Sequence, residues 1–275
     1  MGATAWDVRS AHCAAVAAVV LALCLFAHGQ AHAEPAPTDS VSAISAELCA
    51  DMKRRRVMNP GAPVGCERLR LVRFGYVGFD GQTRGDGEIV IMDALADRVM
   101  QIFAALRERK FPVASAKLMN QYNGSDDASM ADNNTSAFNV RAVEATGAIS
   151  MHAYGLAIDL NPVQNPYVLH MIGGRLQVEP RAGAAYLTRK HQRPGMAEAV
   201  IDVFADHGLL VWGGYWNSPD YQHFQVSRSM AGQLARLSPA AARALFERRL
   251  ERYVSCVQAA PGRGEPHRRS CAMTE

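Results

Sequence analysis

The stretch SMHAYGLAIDLNP, residues 150–162, places a histidine, a glycine and an aspartate in one short run with apolar flanks. In its second half, aliphatic side chains alternate with Ala157 and Asp159, which is the two-residue period of a β-strand. A carboxylate in the middle of so apolar a strand needs a partner, because burying it alone is costly. The stretch therefore predicts a strand on which Asp159 either pairs with His152 or forms half of a metal site with it.

A second stretch, DYQHFQV over residues 220–226, has the same period. Its apolar residues face one side of the predicted strand, and His223 and Gln225 face the other. Asp220 stands just ahead of the strand, where its carboxylate can reach a metal-bound water without binding the metal. Catalytic zinc sites use three protein ligands, drawn from imidazole nitrogen and carboxylate oxygen, and keep a fourth position open for water. Spacing alone leaves a buried ion pair and a metal site equally open.

The whole chain has the composition of a globular protein. Its 275 residues are 49% apolar and 20% charged, which is enough for a full core and excludes a fibrous or disordered chain. A net charge of +3 is too small to indicate nucleic-acid binding. One main domain with appendages is the simplest organisation, and no pattern predicts an oligomeric state.

The N-terminus resembles an export signal. An uncharged run over residues 13–27 follows Arg9, and Ala31 and Ala33 are the small residues that a signal peptidase reads. We expect a signal peptide over residues 1–33 and an exported protein, periplasmic or extracellular, with no stable membrane insertion after cleavage. An uncleaved anchor is the alternative, although the run is shorter than the ~20 residues that span a bilayer.

Cleavage after Ala33 leaves four cysteines, an even number in a chain sent to an oxidising compartment, which predicts two disulfides. Four cysteines allow three pairings. The local pairing joins Cys49 to Cys66 and Cys256 to Cys271 and leaves the middle of the chain untouched. A cysteine-rich zinc site is disfavoured because no C-x-x-C spacing occurs.

Periodicity along the rest of the chain predicts strand pairs and separate helices. Alternation around Gly-rich turns predicts hairpins over residues 69–92 and 167–178. Helical spacing predicts helices near residues 44–52, 95–106, 194–207 and 239–254. Asp93 is the expected cap of the second helix. This mixture indicates an α+β fold with an antiparallel sheet and flanking helices.

The remaining segments are less regular. FPVASAKLM, residues 111–119, predicts a further strand, and the chain after the last helix is expected to be a polar tail. Residues 120–139 are Asn-rich and without helical or strand periodicity, which is typical of a functional or mobile loop. Asp126 and Asp127 within it do not match a calcium-binding loop, so a solvated loop is the favoured interpretation.

The two stretches together form a specific pair of motifs. S-x-H-x-x-G-x-A-x-D is followed by D-x-x-H-F, here Ser150, His152, Gly155, Ala157 and Asp159 and then Asp220, His223 and Phe224. The pair resembles the D-alanyl-D-alanine carboxypeptidase and L-alanyl-D-glutamate endopeptidase family of zinc peptidases. WGGYW, just upstream of the second motif, is also similar to that family, and TSAFNVR and NPVQNPY are similar to segments of an exported bacterial branch of it.

The resemblance implies a Hedgehog/DD-peptidase-like fold. The helical spacing and the local cysteine pairs outside it predict helical, disulfide-stapled arms at the N- and C-termini. It covers residues 70–228, which we take as the peptidase domain. The N-terminal arm is then residues 34–69, and the C-terminal extension is residues 229–275.

The resemblance also implies roles for individual residues. His152, Asp159 and His223 would bind Zn²⁺, and Asp220 would be the general base. The family also uses an arginine, commonly in an S-G-Y-R-like stretch that this chain lacks. Arg141 is the candidate substitute, and a surface arginine without substrate is the other interpretation. Among the remaining candidates, Ser150 is expected to orient the His152 loop, and the aromatics expected to line the cleft and contact substrate are Tyr122, Trp212 and Trp216.

The implied function is an exported zinc peptidase acting on the stem peptides of peptidoglycan. It would either trim a terminal D-alanine or cut between L-alanine and D-glutamate. One alternative is a non-catalytic zinc-bearing module for cell-wall binding or signalling, since the Hedgehog signalling domain resembles this fold while its work is binding. A second is a structural secreted domain with buried His/Asp pairs and no metal.

Overall fold

The computed structural model describes residues 1–2, 39–143, 147–170 and 173–274. The predicted signal peptide lies outside the described residues, except for its first two. Ala36–Glu275 forms one compact unit. In the described part of the chain, no helix has both the length and the apolar character needed to cross a membrane. The predicted boundaries after residues 69 and 228 stay predictions.

The described residues contain helices and antiparallel strands in mixed order, as the α+β prediction requires. Helices α1 to α7 comprise Ala46–Arg54, Ala96–Glu108, Asp126–Ala131, Ile201–Asp206, Arg228–Arg236, Pro239–Gln258 and Gly264–Met273. Strands β1 to β8 comprise Ser40–Ala43, Leu69–Val77, Thr83–Met92, Ala157–Asp159, Tyr167–His170, Leu176–Glu179, Val211–Trp212 and His223–Gln225.

The first sheet is built around the hairpin predicted at residues 69–92, which is confirmed. Its order is β1-β2-β3, and both pairings are antiparallel. Helix α2 packs on this sheet, and the ring of Phe103 stacks on Phe74 with centroids 3.6 Å apart. This packing forms one end of the hydrophobic core.

The second sheet carries both stretches that open the sequence analysis. Its order is β4-β8-β7, again antiparallel. The strands predicted within residues 150–162 and 220–226 are therefore confirmed. The hairpin at residues 167–178 is confirmed as well, because β5 pairs with β6.

Two helix starts differ from prediction. Asp93 does not cap α2: the N-cap is Leu95, and the buried Asp93 carboxylate instead accepts a hydrogen bond of 2.8 Å from Arg68. Pro194 does not open a helix. Ahead of α4, the side-chain oxygen of Asn165 instead accepts a hydrogen bond of 2.7 Å from the backbone N–H of Ala197. Helix α6 begins as predicted at Pro239, and the Ser238 hydroxyl accepts from a backbone N–H of its first turn.

Three irregular segments also differ from prediction. Residues 111–119 form isolated bridges and no strand, because side chains replace a strand partner. The side-chain oxygen of Asn161 accepts a hydrogen bond from the backbone N–H of Ala114, and that of Asn134 accepts one from the backbone N–H of Lys117. Residues 120–139 contain α3, which begins at a Ser125 cap. The expected polar tail contains α7, and a disulfide holds that helix to α6.

Both disulfides have the local pairing. Cys49 on α1 is bonded to Cys66 just before β2, and Cys256 on α6 is bonded to Cys271 on α7. Each bond closes a short loop and stabilises by about 3 kcal/mol in the chain-entropy model. The two disulfides expected from local pairing are therefore confirmed.

Candidate metal centre

His152 is held by a short 3₁₀ turn, Met151–Tyr154. The Ser150 hydroxyl accepts from the His152 backbone N–H at 3.3 Å and caps the turn. Gly155 ends the turn with φ of +65°, a conformation that side chains disfavour. A Cβ at Gly155 would also lie 2.8 Å from the backbone nitrogen of Met92, which donates to the Gly155 carbonyl. The glycine of the motif therefore lets the His152 turn approach β3 closely.

Strand register brings Asp159 and His223 together. In the β4–β8 ladder these two residues are direct partners, so their side chains project from the same face of the sheet. The opposite face is apolar, and Phe224 there stacks on Phe204 with ring centroids 3.9 Å apart. The alternation in each strand thus sends one side into the core and the other to the site.

Three side-chain groups converge at one point. His152 Nε2 lies 3.0 Å from Asp159 Oδ2, and His223 Nδ1 lies 2.9 Å from Asp159 Oδ1. The two imidazole nitrogens are 3.2 Å apart. All three residues are at most 6% exposed.

The outer nitrogens of both imidazoles have hydrogen-bond acceptors. His152 Nδ1 lies 2.5 Å from the carbonyl oxygen of Ala137, and His223 Nε2 lies 2.7 Å from the side-chain oxygen of Gln225. A neutral ring that donates from its outer nitrogen carries a lone pair on its inner nitrogen. Both inner lone pairs then point at the Asp159 carboxylate, an arrangement typical of metal-ligating histidines.

The geometry fits a divalent metal ion. With metal–ligand bonds of about 2.0–2.1 Å, the corners of a tetrahedral site lie about 3.3 Å apart, close to the separations here. If protons instead bridged these atoms, both rings would have to be buried imidazolium ions, because their outer nitrogens also donate. One cation would bind all three inward-facing groups at once. Although burial alone would raise the pKa of Asp159, the charges and hydrogen bonds of His152 and His223 hold it well below its usual range.

A second group of possible ligands is found in the described residues, between α6 and α7. It consists of Cys256, His267 and Cys271. The two sulfurs are joined in the disulfide and offer no thiolates, so this group is not a metal centre in the oxidised protein.

Asp220 lies against the turn that follows β7. Its backbone N–H donates to the carbonyl of Gly213 at 3.0 Å, and a Cβ at Gly213 would lie only 2.6 Å from the Asp220 carbonyl oxygen. Asp220 Oδ1 is buried and has no hydrogen-bond partner in the protein. Burial, and then the charge of Asp159, raise the pKa of Asp220 to about 7.

Arg141 is placed next to His152 by the backbone. Its carbonyl accepts from the N–H of Ser150 at 3.1 Å, and Ala142 pairs with Ile149 in an isolated antiparallel bridge. The guanidinium lies 2.8 Å from the Asp126 carboxylate and is partly buried. Arg141 is therefore not a freely solvated surface arginine.

A cavity of about 230 Å³ joins these groups, and its lining includes Arg141, Ser150, Trp216, Asp220 and His223. Trp216 is 42% exposed, and its ring centroid lies 5.4 Å from that of His223.

The other two aromatics expected in the cleft lie elsewhere. Trp212 is buried and donates its indole N–H to the carbonyl of Tyr221 at 2.8 Å, and the Tyr122 hydroxyl donates to Asp132 at 2.5 Å. Neither contributes to the lining of this cavity, which corrects their expected place in the cleft.

Sequence reasoning missed the residues that support the site. Gln225 had a usable signal, since the strand period puts it on the same face as His223. Ala137 contributes only its backbone carbonyl, and Asp126 is distant from the motifs along the chain. Nothing in the sequence pattern marks either one.

Fold and site together define an α+β protein with a buried His-Asp-His cluster able to hold a metal ion. A family model described as D-alanyl-D-alanine carboxypeptidase matches residues 144–226, the segment that carries all three clustered residues and Asp220. The match confirms the predicted resemblance to this family of zinc-dependent peptidases and supports a hydrolase. Comparisons with curated proteins and with solved structures give no match.

Proposed function

We propose that the protein is a zinc-dependent peptidase that hydrolyses peptidoglycan stem peptides, on a Hedgehog/DD-peptidase-like scaffold. The observation that carries the proposal is the convergence of His152 Nε2, His223 Nδ1 and the Asp159 carboxylate within 3.2 Å of one another. The family match supports the substrate class. The two disulfides and the N-terminal sequence support action outside the cytoplasm.

In this proposal His152, Asp159 and His223 hold Zn²⁺. The ion supplies the Lewis acidity that makes a water nucleophile available near neutral pH. The hydrogen bonds to Ala137 and Gln225 fix both rings with the correct nitrogen facing inward.

Asp220 acts as the general base. Its buried Oδ1 is free to accept the proton of the attacking water, and the same carboxyl then delivers that proton to the leaving amine. The free Oδ1 of Asp220 also favours an enzyme over a binding module, because a purely binding site has no use for a buried base.

Arg141 neutralises negative charge on the substrate, either a carboxylate or the carbonyl oxygen under attack. Trp216 forms an exposed aromatic wall beside His223, against which an apolar part of the peptide packs. Ser150 keeps the His152 turn in place through its cap.

The test is metal analysis together with digestion of defined stem peptides by the wild type and by Asp220→Ala. We expect one zinc ion per chain in both proteins and cleavage by the wild type alone, with products identified by mass spectrometry. Release of terminal D-alanine would assign a carboxypeptidase, and cleavage between L-alanine and D-glutamate an endopeptidase. A wild type that holds zinc and binds wall fragments but cuts no peptide would overturn the proposal in favour of a binding module.

A further inference from the structure

We infer that Asp126, in the Asn-rich segment that the site motifs leave out, is a positioning residue that holds the Arg141 guanidinium at the mouth of the metal centre. The inference rests on the proposed function and assigns a role to helix α3. Asp126 itself touches neither the cluster nor, in this proposal, the reacting atoms.

Three carboxylates compete for the charge of Arg141. The guanidinium is attracted by Asp126, Asp159 and Asp220. An arginine that moved onto Asp159 would occupy a metal ligand, and one that moved onto Asp220 would block the base. The ion pair at 2.8 Å is instead formed with Asp126, which keeps the cation near both groups and away from their oxygens.

The pair is sheltered enough to hold one geometry. The side chains of Arg141 and Asp126 are 30% and 24% exposed, so solvent and salt screen their attraction less than at the surface. A free arginine side chain loses rotamer entropy when a substrate fixes it, and the ion pair with Asp126 removes that entropy before substrate arrives. Arg141 Nε is buried and has no partner, so a donor stays available inside the cavity.

The backbone around Asp126 is itself fixed. The Ser125 hydroxyl caps α3 by accepting from Ala128 N–H at 3.2 Å, and the Asn134 side chain donates to the hydroxyl of buried Ser129 at 3.1 Å. The Asn139 side chain donates to the Gly124 carbonyl at 3.1 Å and so joins the segment before Arg141 to the turn before α3. The carboxylate is therefore presented from a rigid support.

The test compares Asp126→Asn and Asp126→Glu with Asp132→Asn in the zinc-loaded mature chain. Asp132 forms an exposed ion pair with Lys117 at the C-terminal end of the same helix and does not line the cavity. We expect Asp126→Asn to lower kcat/KM on a cleaved stem peptide by about 10- to 100-fold. Zinc content and melting temperature should stay unchanged. Asp126→Glu should recover part of the loss, and Asp132→Asn should remain within about twofold of the wild type.

A double-mutant cycle with Arg141→Ala separates positioning from a general structural effect. If Asp126 acts through Arg141, adding Asp126→Asn to Arg141→Ala lowers kcat/KM no further. Losses that multiply independently, or an Asp126→Asn enzyme as active as the wild type, would overturn the inference.

A readout independent of catalysis keeps this test distinct from that of the proposed function. In the wild type the Nε–H proton of Arg141 should give one sharp NMR signal, because the side chain is held in one conformation. In Asp126→Asn the signal should broaden, and in Asp132→Asn it should not change. The same sharp signal in all three proteins would refute the positioning role whether or not any peptide is cleaved.

Discussion

The two walls of the candidate site are built by different means. Asp159 and His223 come from paired strands, where the backbone ladder sets the position of both side chains. Arg141 and His152 come from irregular backbone, which a hydroxyl cap, a close glycine contact and an ion pair hold in place. We call the pair Asp159 and His223 the strand wall and the pair Arg141 and His152 the turn wall. The strand wall depends on the repeating pattern of a β-ladder, and the turn wall depends on individual side-chain contacts.

The largest expected effect is on the strand wall. Asp159→Ala removes the carboxylate that both imidazoles face, so zinc should be lost and kcat/KM should fall at least about 1,000-fold, or about 4 kcal/mol. Ser150→Ala on the turn wall removes one cap, costs about 1 kcal/mol of stability and should retain zinc. Metal analysis and peptide turnover measure both. Zinc retained at full stoichiometry in Asp159→Ala would show that the strand wall does not hold the metal.

A smaller effect is expected from the support behind His223. Gln225→Leu leaves the register intact but removes the acceptor of the outer imidazole nitrogen, so zinc affinity should fall about 10- to 100-fold. Competition with a fluorescent chelator measures the affinity. Gln233→Leu, on the exposed face of α5, is the control and should bind zinc as the wild type does. Equal affinities in all three proteins would mean that the ladder alone orients His223.

The smallest expected effect is a pH dependence of the metal-free protein. The pKa of Asp220 is raised from 3.8 to about 7 in the folded chain, so forming its carboxylate costs folding free energy. Its contribution to stability is full below about pH 4 and is lost as the pH rises through about 7.

Urea unfolding of the metal-free protein between pH 5 and pH 8 measures this contribution. Asp220→Asn should remove the part of the pH dependence of the unfolding free energy that Asp220 contributes and leave the remainder unchanged. Carboxyl ¹³C NMR should place the Asp220 titration near pH 7 and shift it downward when zinc is added, because a nearby cation favours the carboxylate. A slope that is identical in the wild type and Asp220→Asn would rule out a buried, shifted Asp220.

The strand wall could be predicted from the sequence because alternation fixes which face a side chain occupies. Asp159 and His223 each interrupt an apolar alternation, and this signal can be read from each strand alone, before the pairing of β4 with β8 is known. The pairing itself is long-range, and only the motif resemblance predicted it. The disulfides were predictable because four cysteines allow only three pairings, and one of these joins cysteines that are close along the chain.

The turn wall could not be predicted in the same way. Asp126 and Arg141 meet through one ion pair between segments without period, and no local pattern encodes such a contact. The prediction for Asp93 failed for the same reason. Its residue type suits a helix cap, but its carboxylate accepts a hydrogen bond from Arg68, a contact that no local pattern encodes. The irregular course of residues 111–119 has a similar cause, because distant asparagine side chains replace the strand ladder.

The two histidines present different ring nitrogens, and this sets the depth of the centre. Nδ1 of His223 extends no further from the backbone than the amide of an asparagine would, whereas Nε2 of His152 extends as far as that of a glutamine. An ion held by both rings would therefore lie closer to the backbone of β8 than to that of the His152 turn. A one-residue slip of the β4–β8 pairing would turn either Asp159 or His223 to the opposite face of the sheet and separate the ligands, so the register of three residue pairs decides whether a metal can bind.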